Sequence, residues 1–379
     1  MKKKIIVLGA GMIGKAIIHD LSDKYEVTAV DVEEKALDYC SKQYGVKTIN
    51  KYLNNPQNIK EVVADTDFVV SSVPGFMGYN TLKAVIESGK NVVDISFMPE
   101  DFMELDEKAR QNNVTAIADC GVAPGMPNII LGFHSHEMEV EHFEYMVGGL
   151  PKERKFPFEY KAPFSPMDVL EEYFRPARVK EYGNLVTKPA MSDAEMVYFR
   201  NIGHLEAFNT DGLRSLLHTM SHIPHMKERT LRYPGHIRMM EALKQSGFLS
   251  KKTVHVGDLA VKPVDVTSQI LIKEWELEPG EEEFTLMRVI MEGKTNNERT
   301  RFIYDMYDEY DKKTGLSSMA RTTGFAATAV INLLDKGQFQ SKGVYPPEII
   351  GKEKECFPFI MNYLRDRGVY YYMSVERLS

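Results

Sequence analysis

The stretch Ile5-Ile6-Val7-Leu8-Gly9-Ala10-Gly11-Met12-Ile13-Gly14 constrains the chain more than any other. Four apolar residues, three of them β-branched, predict a buried strand, and the apolar spacing that follows predicts a helix. The glycines must therefore turn strand into helix within a few residues. In this G-x-G-x-x-G pattern Gly9 permits the turn, Gly11 lets a pyrophosphate approach the backbone, and Gly14 lets the helix pack on the strand. The N–H groups at Met12 and Ile13, left without helical partners, join the helix dipole in holding phosphates.

A second apolar strand, Glu26 to Asp31, ends in an acid about twenty residues after the glycines, where a carboxylate accepts from adenosine ribose hydroxyls. Val32-Glu33-Glu34 adds negative charge and supplies no arginine for a 2′-phosphate, so NAD is expected over NADP. The bland alternative for Asp31 is a solvated strand-end acid or a helix cap.

Strands are expected at Lys4–Leu8, Val27–Asp31, Val46–Ile49, Phe68–Val73, Asn91–Ile95 and Thr115–Ala118, with helices between most of them. Alternation with short connections predicts an α/β fold, a Rossmann-type doubly wound parallel sheet whose ligands lie beyond the strands' carboxyl ends. Ser72-Val73-Pro74, Asp94 and Asp119 stand there, so the first four are expected at the cofactor and Asp119 at the reacting ring.

After Gly125 the pattern changes. Phe143–Pro151 alternates like an exposed strand, short strands are expected at Ala194–Asn201, Val254–Lys262 and Phe284–Lys294, and Ser317–Asp335 reads as a closely packed helix. The middle is therefore a second, α+β domain with an open sheet. Within it, Phe208–Leu217 and Glu228–His236 read as loops that open or close helices. An arginine fork suits a carboxylate and an acid suits an ammonium, which singles out Arg232, Arg214, Asp211, Tyr233 and His236 around a zwitterionic substrate. For any one of them a salt bridge or cap is an equal alternative.

The 379-residue chain has room for two domains and a pocket between them. Its net charge of −7 argues against nucleic acid or anionic membrane as the main partner. Three scattered cysteines fit neither a disulfide framework nor a metal site and suggest a reducing compartment. Met1-Lys2-Lys3-Lys4 starts like a signal peptide, but the apolar run after it is too short, and a cytoplasmic location is expected. His218, His222 and His225 invite a metal, yet Pro224 interrupts the helix and no H-E-x-x-H acid is present. No metal is expected.

Gly9-Ala10-Gly11 with Asp31, the Asp119–Gly125 segment, Gly148-Gly149-Leu150-Pro151, Thr230-Leu231-Arg232-Tyr233-Pro234-Gly235-His236 and Tyr345-Pro346-Pro347-Glu348 together resemble the saccharopine dehydrogenase (reductase) family, and within it the lysine 6-dehydrogenases. The resemblance implies NAD-dependent oxidation of the ε-amino carbon of L-lysine to allysine, which cyclises to a piperideine carboxylate, with release of ammonia. It also implies a homodimer formed through the middle domain, an NAD-binding domain split over 1–125 and 318–379 into which that domain is inserted, and a substrate-binding and dimerisation domain over 126–317. Arg232 with Arg214 would clamp the carboxylate, Asp119 would face the amine, Tyr233 and His236 would relay protons, and Thr230 and Asp211 would complete the substrate site. A saccharopine- or carboxyspermidine-type enzyme is the alternative, since Arg154, Arg175, Arg178 or Arg321 could serve added carboxylates. A sensor that binds NAD without turnover is an alternative of another class.

Overall fold

The computed structural model describes residues 2–378. Met1 and Ser379, included in the expected domain ranges, lie outside them.

Seven strands form the first sheet. They are β1 (Lys4–Leu8), β2 (Glu26–Asp31), β3 (Lys47–Asn50), β4 (Phe68–Ser71), β5 (Asn91–Asp94), β6 (Thr115–Ile117) and a late strand, Gly343–Tyr345. All pair in parallel, in the order Gly343–Tyr345, β6, β5, β4, β1, β2, β3. The chain turns back at β1, which has β2 on one side and β4 on the other, and a crevice opens there at the strands' carboxyl ends. Buried aliphatic runs such as Ile5–Leu8 and Phe68–Val70 account for this, because a parallel sheet is covered on both faces.

Nine strands form the second, mixed sheet. After β7 (Glu139–Pro151) come β8 (Ala177–Glu181), β9 (Asn184–Lys188), β10 (Glu195–Phe199), β11 (Gly203–Asn209) and β12 (His225–Arg232). Past a small hairpin, β13 (Val254–Val256) and β14 (Leu259–Val261), the sheet resumes with β15 (Glu283–Thr295) and β16 (Glu298–Glu309). With Gly343–Tyr345 counted as β17, the last strand is β18 (Tyr371–Arg377). The path runs β10-β11-β12-β7-β15-β16-β18, with β8 and β9 joined to β12. Only β12 and β7 pair in parallel within it. The long β15–β16 hairpin turns at Asn296-Asn297, whose φ of 53° and 65° match the primed turn that asparagine tolerates.

The helix Ser318–Asp335 lies between the sheets. Its small residues allow a close crossing: a Cβ on Gly324 would lie 3.2 Å from Ile17 and 3.3 Å from Ala16 on the helix Met12–Ser22. Met319, Phe325 and Val330 thereby share one core with Ile17 and Val93 on the first sheet's side and Phe143, Met287 and Val289 on the second's.

Several expectations change. Strand β7 is central rather than exposed, because β12 and β15 flank it and apolar cores cover both faces. Val254–Lys262 is a hairpin of two short strands. Phe208-Asn209 and Glu228–Arg232 are strand ends, not loops; their polar residues point into a crevice, which hides the apolar alternation that marks a half-buried strand. Strand β18 was not foreseen, and it pairs with β16 of the second sheet although it lies within the stretch expected to complete the first.

Candidate active site

The glycine turn is set by close backbone approach. Gly9 has φ of +98°, and a Cβ there would lie 2.6 Å from the Ser72 carbonyl oxygen. One on Gly14 would lie 2.1 Å from the Gly9 oxygen. Gly11 differs: nothing stands within 4 Å of its Cβ position. That empty cradle lies at the N-terminus of helix Met12–Ser22, which no side chain caps, so its first N–H groups are available to an anion. Ser72 braces the turn by donating from Oγ to the Gly9 carbonyl at 2.9 Å.

Asp31 ends β2 beside this cradle. Its carboxylate accepts from the N–H groups of Ala10 at 2.6 Å, Val32 at 2.7 Å and Glu33 at 3.0 Å, so it is fixed before any ligand arrives. Gly9, Gly11, Met12, Ile13, Gly14, Asp31, Ser72, Val73 and Pro74 all line one cavity of about 490 Å³ that continues between the two sheets. These residues suit a dinucleotide: an open phosphate cradle at a helix start, a fixed ribose acceptor, and strand-end backbone for the ring.

Asp94 is off the lining. It is fully buried and its carboxylate accepts from the Ser96 N–H and hydroxyl, while burial pushes its acid up to about 7. The expectation that it touches the cofactor is corrected; the neighbouring Ile95, Ser96 and Phe97 line the cavity instead. Asp119 is also off the lining. It sits at φ of 57° with its Oδ2 accepting from Arg214 Nε at 2.5 Å, and burial raises its acid although the guanidinium opposes this. Arg214 also donates to the Met98 carbonyl at 2.8 Å. This pair bridges the sheets; it engages Asp119 through Oδ2, while Oδ1 is buried without a hydrogen-bond partner among the described residues.

Strand β12 supplies much of the far wall. Glu228, Thr230 and Arg232 are two residues apart, share a face and all line the cavity. Thr230 bonds Thr210 through the two hydroxyls at 2.8 Å. Arg232 donates to Glu172 at 2.6 Å, to the hydroxyls of Tyr173 and Tyr160, and to the Leu231 carbonyl. Arg232 lines the cavity as expected of a substrate residue, but a substrate carboxylate would have to displace Glu172 to reach it. Asp211 lines the cavity but is held by Arg178 through two bonds of 2.8 and 2.9 Å.

Tyr233 and His236 lie outside the lining. The Tyr233 hydroxyl donates to the Pro151 carbonyl at 2.9 Å. His236 donates from Nδ1 to the Phe158 carbonyl and accepts at Nε2 from Tyr173, both at 2.9 Å; burial holds its imidazolium down at about 3, so the ring is neutral. Neither has a proton to relay toward the cavity. Of the other arginines, Arg154 pairs with Glu159 and Arg321 with Asp308, away from the cavity, and Arg175 lines it.

Glu228 was passed over in the sequence. It is 5% exposed, accepts at Oε2 from the Gly212 N–H at 3.0 Å, and has no cationic partner among the described residues. Burial pushes its acid up to about 8. Reading 225–232 as a strand would have set it on one face with Thr230 and Arg232. Asp168, Glu171 and Glu172, from helix Pro166–Glu172 and its end, complete an acidic wall. The histidines at 218, 222 and 225 fall on a short helix, a turn and a strand, and among the described residues no group of His, Cys, Asp or Glu is arranged to hold a metal. Among the same residues no helix is long and apolar enough to cross a membrane.

Sheet, glycine turn, fixed ribose acceptor and inter-sheet cavity define a dinucleotide-binding protein with a second ligand site. Residues 5–117 match the profile of the saccharopine dehydrogenase NADP binding domain, and residues 121–369 that of the saccharopine dehydrogenase C-terminal domain. The chain belongs to the saccharopine dehydrogenase family. It is 25% identical over 269 residues to the mitochondrial alpha-aminoadipic semialdehyde synthase of Rattus norvegicus, a match covering 66% of this chain and 29% of that protein. It is 25% identical over 264 residues to the saccharopine dehydrogenase (NADP(+), L-glutamate-forming) of Saccharomyces cerevisiae, covering 66% of this chain and 59% of that protein. Less than two thirds of each relative's length is therefore matched. The apo saccharopine dehydrogenase (L-Glu forming) structure from S. cerevisiae has the same fold, with a TM-score of 0.80 at 20% identity over 99% of this chain and 100% of that one.

Proposed function

We propose that the chain oxidises the ε-amino carbon of L-lysine with NAD, giving reduced cofactor and an imine that water hydrolyses to allysine and ammonia. The observation that carries this is Glu228, a buried acid without a cation, in the same cavity as the glycine turn. An amine must lose a proton before its carbon releases hydride, and a buried carboxyl in reach of the cavity is suited to accept that proton. Bound nicotinamide supplies the hydride acceptor. The acidic wall formed with Asp168 and Glu171 favours a cationic substrate over a polycarboxylate. Glu228 takes the role expected of Asp119, which is ion-paired with Arg214 and lies off the cavity lining.

NAD over NADP is supported by Asp31, whose fixed charge would repel a 2′-phosphate, and by Lys51, which lines the cavity nearby but pairs with Glu61 at 3.0 Å. The proposal includes a homodimer formed through the middle domain; exposed Val256, Leu259 and Ile270 on the hairpin and the helix after it support that placement. It keeps the division into a dinucleotide part, 1–125 with 318 onward, and a substrate part, 126–317, except that β18 belongs with the second sheet.

The names of the relatives favour a second reading, oxidation of saccharopine, with the same residues around the amine. Reduced-cofactor formation with purified protein separates the two. Turnover of L-lysine and none of saccharopine is expected; the reverse result establishes the second reading, and cofactor binding without turnover of any amine would refute both.

A further inference from the structure

We propose that Arg175 anchors the substrate's carboxylate and restricts the site to substrates carrying one such group; this rests on the amine oxidation argued above. Two arginines, Arg175 and Arg232, line the cavity, and two more, Arg178 and Arg214, hold Asp211 and Asp119. Arg232 is held by Glu172. Arg175 lines the cavity and makes no ion pair among the described residues. Its guanidinium lies 5.1 Å from the centroid of the Phe97 ring, in the loop that follows β5. A cation–π contact engages the guanidinium's charge without taking up its N–H groups as donors to an oxygen, so they can still meet a carboxylate. The fork is therefore held by the first sheet's strand-end loop, where the reacting ring of a dinucleotide belongs.

The surroundings set the number of carboxylates. Asp168 and Glu171, on the helix just before Arg175, also line the cavity, as does Glu228 on β12. A second carboxylate would meet these acids with no unpaired arginine to receive it. Saccharopine carries three carboxylates, whereas L-lysine carries one.

Wild type, Arg175→Ala and Arg175→Lys are compared with NAD present on L-lysine, 6-aminohexanoate, which keeps only the carboxylate and the terminal amine, and cadaverine, which lacks the carboxylate. Steady-state kinetics give KM, and calorimetry gives Kd for each compound and for saccharopine. Arg175→Ala should weaken lysine and 6-aminohexanoate by about tenfold to a hundredfold and change cadaverine by less than about twofold, as loss of a charged hydrogen-bonded pair requires. Arg175→Lys should recover part of the loss. Equal weakening of all three compounds, unchanged lysine affinity, or no binding of any of them by wild type overturns the proposal, and tighter binding of saccharopine than of lysine overturns the one-carboxylate limit. If wild type binds lysine and 6-aminohexanoate but oxidises neither, the amine oxidation fails while the Arg175→Ala contrast in Kd still decides the anchor.

Discussion

Arg214 donates from Nε to Asp119 Oδ2 at 2.5 Å, with the two side chains 6% and 1% exposed, and this pair joins the turn after β6 to the segment after β11. Removing one member leaves a buried charge without a partner. Arg214→Ala should therefore cost about 3–5 kcal/mol in urea unfolding, because the surviving carboxylate stays desolvated. Arg214→Met combined with Asp119→Asn removes both charges and retains a residue that accepts the positive φ at 119. The double variant should be the more stable of the two, and the reverse order would show that the pair is not what holds this junction.

Gly11 and Gly14 separate ligand binding from folding. Gly14→Ala forces a Cβ to 2.1 Å from the Gly9 carbonyl oxygen, which is backbone, so it should cost about 1–3 kcal/mol and disturb the turn. Gly11→Ala meets nothing within 4 Å and should leave the melting temperature within the range of a neutral surface change, about 0.5 kcal/mol. Its methyl group nevertheless occupies the cradle, so NADH titration should show affinity lost by tenfold or more, on the order of 1.4 kcal/mol. Full affinity in Gly11→Ala would place the phosphates elsewhere.

Glu228 should give stability a pH dependence. Its folded value of about 8 stands above the ordinary 4.5, so its contribution is complete below 4.5 and is lost as pH rises through about 8. Glu228→Gln keeps the shape and cannot titrate; its unfolding free energy should be flatter across that window and should gain on wild type at the alkaline end. As the proton acceptor, Glu228 must be ionised to act. Wild-type kcat/KM should then rise with pH toward about 8, and Glu228→Gln should lower kcat by about 100- to 10,000-fold.

Asp31 should govern cofactor choice. Asp31→Ala removes both the ribose acceptor and the charge that opposes a 2′-phosphate, so KM for NAD should rise while that for NADP falls or holds. Because three backbone N–H groups lose their acceptor, a lower melting temperature should accompany the change. An NAD preference unaltered in the variant would assign discrimination to another residue.

The first sheet was legible because its signal is local. Ile5–Leu8, Phe68–Val70 and Val92-Val93 are apolar stretches closed by polar or turn residues, and β1 to β6 were each placed to within about two residues, whereas Gly343–Tyr345 was not read as a strand. The second sheet was less so. In β12 the cavity-facing positions are Glu228, Thr230 and Arg232, and polar residues on the inner face resemble a loop. The residues expected at the cofactor are marked by local glycine spacing and strand ends, and all of them but Asp94 line one cavity; the substrate half depends on which arginine each acid captures. Nothing along the chain shows that Arg178 takes Asp211, 33 positions away, or that Arg214 takes Asp119, 95 positions away, leaving Arg175 unclaimed. Tyr233 and His236 looked reactive by residue type, and only their carbonyl partners reveal them as supports.

Both sheets receive an outer strand from the last stretch of the chain described, Gly343–Tyr345 in one and Tyr371–Arg377 in the other. During synthesis, neither layer acquires its final hydrogen-bonded border until that stretch has left the ribosome. Until then, the nascent protein carries two flanks, at β6 and β16, that lack their final neighbours.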